Sequence, residues 1–133
     1  MDAPAVAVSN DGKRMAAAWM DMRGGNRDVQ WTVGSAGKFA PETTVHDDTK
    51  NTQGHPSLAF DSEGNAWCAW EDSRGGVNDP RIYAADSKSK KNIAVSAAGE
   101  GKCGYPSLAF GGGVLGVAYE SGPGVSFRPV PGN

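Results

Sequence analysis

Two stretches of the chain carry the same three chemistry-bearing residues at the same spacing: Trp19, Asp21 and Arg23, then Trp70, Asp72 and Arg74, each set followed by Gly-Gly. A guanidinium beside a carboxylate and an aromatic face suits a sugar or a carboxylated ligand, because Arg offers a planar fork of donors and the ring a stacking surface. A ligand site needs its residues once, however, and this set recurs. The recurrence favours a repeat-building loop in which Asp accepts loop amides, Arg pairs with a nearby carboxylate and Gly permits positive φ. His55 and Tyr105 form a second candidate pair, each directly before a proline, Pro56 and Pro106. A His base and a Tyr acid can together drive an elimination, but Ala3 takes the same place before Pro4, and a residue there can simply pack. His46 closes a predicted strand and is expected at the surface. Neither His has a partner at metal-ligand spacing, so no metal, no cofactor and no assigned catalytic residue are expected.

These residues are positioned by an internal repeat. Segments opening at Pro4, Pro56 and Pro106 share an order: Pro, an alternating apolar run, a polar or Gly turn, a second apolar run ending in an aromatic, then an acidic and Gly-rich loop. A period of about fifty residues built from short strands is the mark of a β-propeller or a related array. In the first repeat the strands are read at Ala5 to Val8, Met15 to Met20, Val29 to Val33 and Glu42 to His46. The second gives Ser57 to Phe60, Ala66 to Trp70, Arg81 to Ala85 and Asn92 to Val95. The third gives Ser107 to Phe110, Val114 to Tyr119 and Val125 to Val130, without a fourth. The fold class is therefore all-β, with four-stranded antiparallel blades at about 3–52 and 53–102 and an incomplete one at about 103–133. Trp67 and Trp70 stand three apart on one strand and so face opposite sides, which requires a neighbour on both faces of the second blade.

With a net charge of −2 and a 38% hydrophobic share, the chain does not advertise a nucleic-acid partner. Lys88-Ser89-Lys90-Lys91 is a short solvated turn. No apolar run approaches the roughly 20 residues that cross a bilayer, so no membrane partner is expected. No charged and apolar leader precedes the first repeat; the chain reads equally as a short protein or as a piece of a longer one. Cys68 and Cys103 read as two buried small side chains, with a disulfide as the alternative. Met15, Met20 and Met22 read as core filling. Nucleotide chemistry has no foothold, since no Gly-rich phosphate loop follows a strand.

The run His55-Pro56-Ser57-Leu58-Ala59-Phe60-Asp61, then Gly64, then Ala69-Trp70-Glu71-Asp72-Ser73-Arg74-Gly75-Gly76, resembles the repeat of sialidase-like propellers, the superfamily with bacterial neuraminidase repeats and Asp-boxes. At the place of its Ser-x-Asp-x-Gly-x-Thr-Trp box this chain has Gly34-Ser35-Ala36-Gly37-Lys38-Phe39, which keeps the Ser, a Gly and a terminal aromatic. The resemblance implies that the loops after the second strands and the segments before the first strands share one face around a central channel. It thereby offers Asp21, Arg23, Asp72, Arg74, His55 and Tyr105 as ligand-binding candidates. It also implies a secreted or periplasmic location and a six-bladed ring, reached by a homodimer joined through its end blades or within a longer chain. The enzymes of that family use three arginines, an acidic Asp and a Tyr/Glu pair, of which no copy is recognisable here. The expected function is accordingly a non-catalytic binding or scaffold module with a glycan as possible ligand. The alternative is an enzyme or enzyme fragment, a glycoside hydrolase or polysaccharide lyase acting on acidic carbohydrate.

Overall fold

A computed structural model describes residues 4–131. Among them the secondary structure is entirely β, in three antiparallel sheets. The first sheet holds β1 (Ala5–Val8), β2 (Met15–Asp21), β3 (Asp28–Ser35) and β4 (Lys38–Phe39) in sequence order, with β5 (Thr43–Thr44) also paired to β3. The second runs β6 (Gln53–Phe60), β7 (Ala66–Asp72), β8 (Arg81–Asp86) and β9 (Ile93–Ala94). The third has three strands, β10 (Cys103–Gly111), β11 (Val114–Ser121) and β12 (Gly124–Pro129). Each is a meander because consecutive strands are joined by short turns rich in Gly, Asn and Asp, which leave no room for a crossover.

The sheets stack face to face, and two apolar layers fill the gaps. One joins Ala16, Ala18, Val29 and Trp31 of the first sheet to Leu58, Phe60, Cys68 and Trp70 of the second. The other joins Trp67, Ala69, Ile82 and Ala84 of the second to Leu108, Leu115, Val117 and Tyr119 of the third. Trp67 and Trp70 point into opposite layers, as their spacing on one strand requires, and both are buried. Replacing either with Ala would cost about 3–5 kcal/mol through lost burial and the cavity left behind. Cys68 and Cys103 are free thiols, divided between the two layers, and burial pushes both thiols up from their ordinary titration range.

Several strand limits differ from the sequence reading. The first strands of the second and third sheets begin four residues early, at Gln53 and Cys103, because each carries a bulge between Gly54 and Ser57 or between Gly104 and Ser107. The bulge accommodates the proline inside the strand, where a regular ladder would miss its N–H. The fourth strand expected at Glu42 to His46 is two short pieces instead, Lys38–Phe39 and Thr43–Thr44, separated by Ala40-Pro41-Glu42, since Pro41 can donate nothing to the ladder. His46 is buried and not at the surface: Val29 N–H donates to its Nε2 at 3.1 Å and its Nδ1 pairs with the Asp48 carbonyl at 2.8 Å. Of Met15, Met20 and Met22, only Met20 is core; Met15 and Met22 are exposed.

Candidate functional site

The Asp-x-Arg loop closes β7 and shows what its residues do. Asp72 is fully buried and accepts from Arg74 N–H at 2.9 Å, an Asx-type turn dictated by the two-residue spacing. Its carboxylate also takes Trp70 Nε1–H at 2.7 Å, Gln53 Nε2–H at 3.3 Å, and the Arg74 guanidinium through Nε at 3.1 Å and Nη2 at 2.8 Å. The same guanidinium donates to Asp47, in the segment that leads from the first sheet to the second, at 2.7 Å and to Asn92 at 3.0 Å, and stands 4.1 Å from the Tyr83 ring centroid. Burial alone would raise the Asp72 carboxyl; hydrogen bonds from Arg74 and Trp70 outweigh it and hold the group below its ordinary value. All three guanidinium nitrogens are engaged within the protein, which makes this loop a joint between sheets.

The first copy of the loop has the same local geometry with less around it. Arg23 N–H donates to Asp21 at 2.8 Å, and the guanidinium reaches Asp21 and Glu42, holding the Asp21 carboxyl at about 2. The Arg23 side chain is 68% exposed, against 17% for Arg74. In the third sheet Tyr119 keeps the aromatic position, and its hydroxyl is held by Glu100 at 2.9 Å and by Arg128 Nε at 2.9 Å. The lost Asp and Arg are thus replaced by a pair from elsewhere in the sequence.

His55 and Tyr105 are brought together. Both occupy the left-handed backbone region, with φ of 51° and 50°, as the residues that the two bulges push out of line. Such a conformation costs a non-glycine residue on the order of 1 kcal/mol or more and is concentrated where a side chain must be aimed. Their ring centroids lie 4.3 Å apart at an interplanar angle of 33°. His55 Nδ1 meets Glu71 Oε2 at 2.9 Å, and Glu71 lies over Gly104, where a Cβ would come within 2.8 Å of that oxygen. A side chain at position 104 would push that carboxylate away from its place beside His55. Tyr105 is 60% exposed, and among the described residues neither its hydroxyl nor His55 Nε2 has a hydrogen-bond partner. The result is an open aromatic face flanked by an imidazole nitrogen, a phenol and a carboxylate. No hydrogen bond or ion pair among the described residues links this group to Asp21, Arg23, Asp72 or Arg74. Ala3, the first-repeat counterpart of His55, lies outside the described residues. Glu71 was missed from sequence; its signal was the acidic residue after the blade aromatic, repeated as Glu120 after Tyr119.

A second concavity of about 290 Å³ opens near the hairpin turns of the second and third sheets, lined by Asp61, Asn65, Trp67, Asp86, Lys88 and Phe110. There Trp67 Nε1–H donates to Asp61 at 2.9 Å, and Asp61 also accepts the turn amides of Glu63 and Asn65. Asp61 is therefore committed to its own turn. Among the described residues no group of three His, Cys, Asp or Glu side chains is placed to hold a metal ion, and no helix is long and apolar enough to cross a membrane.

Sheets of this kind recur in solved structures. An α-L-arabinanase of Penicillium chrysogenum complexed with arabinobiose aligns with TM-score 0.59 at 12% identity, over 94% of this chain and 41% of that one. The sheets are propeller blades. A thermostable family-43 glycoside hydrolase aligns with TM-score 0.55 at 13% identity over 98% of this chain and 54% of that one. A fucose lectin of Kordia zhangzhouensis in complex with methyl-fucoside aligns with TM-score 0.57 at 10% identity over 98% of this chain and 93% of that one. The chain thus spans about half or less of the two hydrolases and nearly all of the lectin. No protein-family model matches the sequence, and no curated protein does either. The blades are shared at identities that carry architecture alone.

Proposed function

We propose that this chain is a carbohydrate-binding propeller module that acts without catalysis, and that His55, Glu71 and Tyr105 form its ligand site. The observation that carries the reading is the pair of aligned bulges, which hold two non-glycine residues at positive φ and stack their rings at an open edge. A pyranose offers an apolar face and a rim of hydroxyls; an exposed Tyr ring can stack on the first, while His55 Nε2, the Tyr105 hydroxyl and Glu71 answer the second. The likeness to a fucose lectin and to two glycoside hydrolases supports carbohydrate as the ligand class. The narrower reading as a sialidase-type propeller rests on the residue pattern alone. Arg74 and Asp72 are assigned to the blade joint, and Arg23 and Asp21 to its exposed counterpart.

One feature favours a second reading, catalysis on acidic carbohydrate. With Nδ1 turned to Glu71, His55 is oriented as a carboxylate-supported base, with a phenol beside it. A glycan array run with a parallel hydrolysis and lyase screen separates the two. Binding without turnover, lost in Tyr105→Ala at an unchanged melting temperature, is the expected result. Turnover abolished by His55→Ala would replace the binding reading with the catalytic one, and a Tyr105→Ala variant that binds like wild type would remove the site.

A further inference from the structure

We infer that the outer face of the first blade is a docking surface for a second copy of this chain, seated head to tail with its third blade against it. Strand alternation gives each blade two unlike faces. On the second strands, Met15, Ala17 and Trp19 align with Ala66, Cys68 and Trp70 and with Leu115, Val117 and Tyr119, because the strands share their end points at Asp21, Asp72 and Ser121. This aromatic-bearing face of the second blade packs on the first blade, and that of the third packs on the second. What receives it each time is the opposite face of the preceding blade, where Ala16 and Ala18, or Ala69 and Ala84, leave room for the large side chains. The same pairing of unlike faces therefore occurs twice within the chain.

Among the described residues one face of each kind is left unmated. Trp70 and Tyr119 are 0% and 1% exposed, whereas Trp19 is only half-buried, and Val6, Val8 and Met15 around it are exposed. At the other end, the outer face of the third blade is an apolar depression of about 670 Å³ lined by Ala109, Gly116, Ala118, Phe127 and Pro129. Its small residues match the alanines that receive Trp70, and Phe127 is 78% exposed beside them. The charged side chain that borders the depression, Arg128, is already paired with Glu100 at 3.1 Å, so covering the face leaves that ion with its partner. Exposed apolar sheet faces of this extent mark interaction surfaces. A second copy presents the receiving face that Trp19 lacks and the aromatic face that Ala118 lacks. Unlike-face contacts of this kind close into rings or propagate as filaments.

Sedimentation equilibrium of the chain, with Trp19→Arg and Ala118→Arg and near-UV circular dichroism to check folding, tests the inference. Wild type is expected as a discrete multiple of 13.8 kDa. Each variant alone should run as a monomer, with self-association weakened about 100-fold or more, the loss of a central hot spot. An equimolar mixture of the two should form a heterodimer, because one intact pair of unlike faces survives between them. A wild-type chain that stays monomeric at about 100 μM, a concentration at which a micromolar contact saturates, overturns the inference. So does an Ala118→Arg variant that still dimerises, since the contact would then join like faces. If either arginine variant is unfolded, Val6→Glu and Phe127→Glu form the same test on the same two faces, with the same outcomes deciding.

Discussion

Removing the Arg74 guanidinium tests the assignment of the Asp-x-Arg loop to blade construction. In Arg74→Ala, Asp72 keeps the Arg74 main-chain amide, Trp70 Nε1 and Gln53, but loses the two guanidinium bonds at 3.1 and 2.8 Å, and the ties to Asp47 and Asn92 disappear. Breaking a buried pair by deleting one member costs about 3–5 kcal/mol. The three remaining donors, and the 17% exposure of the Arg74 side chain, lower that to about 2–4 kcal/mol. For a chain of this length the melting temperature should fall by about 10 °C. The aligned Arg23→Ala should fall far less, because that guanidinium is 68% exposed and touches no other blade. Sequence alone predicts equal effects at the two positions; the structure predicts strongly unequal ones. The pH dependence adds a second signature. The Asp72 carboxyl is depressed in the folded state, so its pairing stabilises the fold above the unfolded value of about 4 and is lost as pH falls through the lower folded value. The Arg74→Ala penalty should therefore be greatest near neutral pH and shrink in acid. Thermal melts by circular dichroism at pH 7 and pH 3 measure both, with ligand absent. Equal shifts for the two arginines, or an Arg74→Ala melt within error of wild type, would refute the joint.

Two further outcomes follow from buried and strained groups. Burial lowers the His46 imidazole, so as pH drops from about 6.5 the unfolded chain takes up a proton before the folded one and stability declines; His46→Gln, which can still accept from Val29 N–H, should lose that part of the slope in urea titrations between pH 7.5 and 5, and an unchanged slope would show that His46 charges freely in the fold. Glycine at position 55 relieves the positive φ by about 1 kcal/mol while removing the ring contact to Tyr105, so His55→Gly should melt within a few degrees of wild type yet bind no glycan; a large loss of stability would mean that the stacked pair serves packing.

The three-fold repeat, the all-β class and the opposed burial of Trp67 and Trp70 were legible in the residues alone, because side-chain alternation and turn chemistry act within a few positions of each other. His55 and Tyr105 could be paired through their prolines and placed on one rim, but their direct ring contact was not legible, since it depends on a bulge in each strand and on the stacking of two blades. Glu71 and the glycine beneath it escaped notice for the same reason: residues 71 and 104 meet only across the blade interface. His46 read as a surface residue because its polar type says nothing of the main-chain donor and acceptor that the fold delivers to its two nitrogens. Arg23 and Arg74 share the Trp-x-Asp-x-Arg-Gly-Gly pattern, and their difference is decided by what lies beyond each loop: Asp47 and Asn92 close on one, Glu42 and solvent on the other. Local periodicity settles which elements form and which faces they present; which of two identical side chains is buried is a property of the neighbouring blade, and only the tertiary structure holds it.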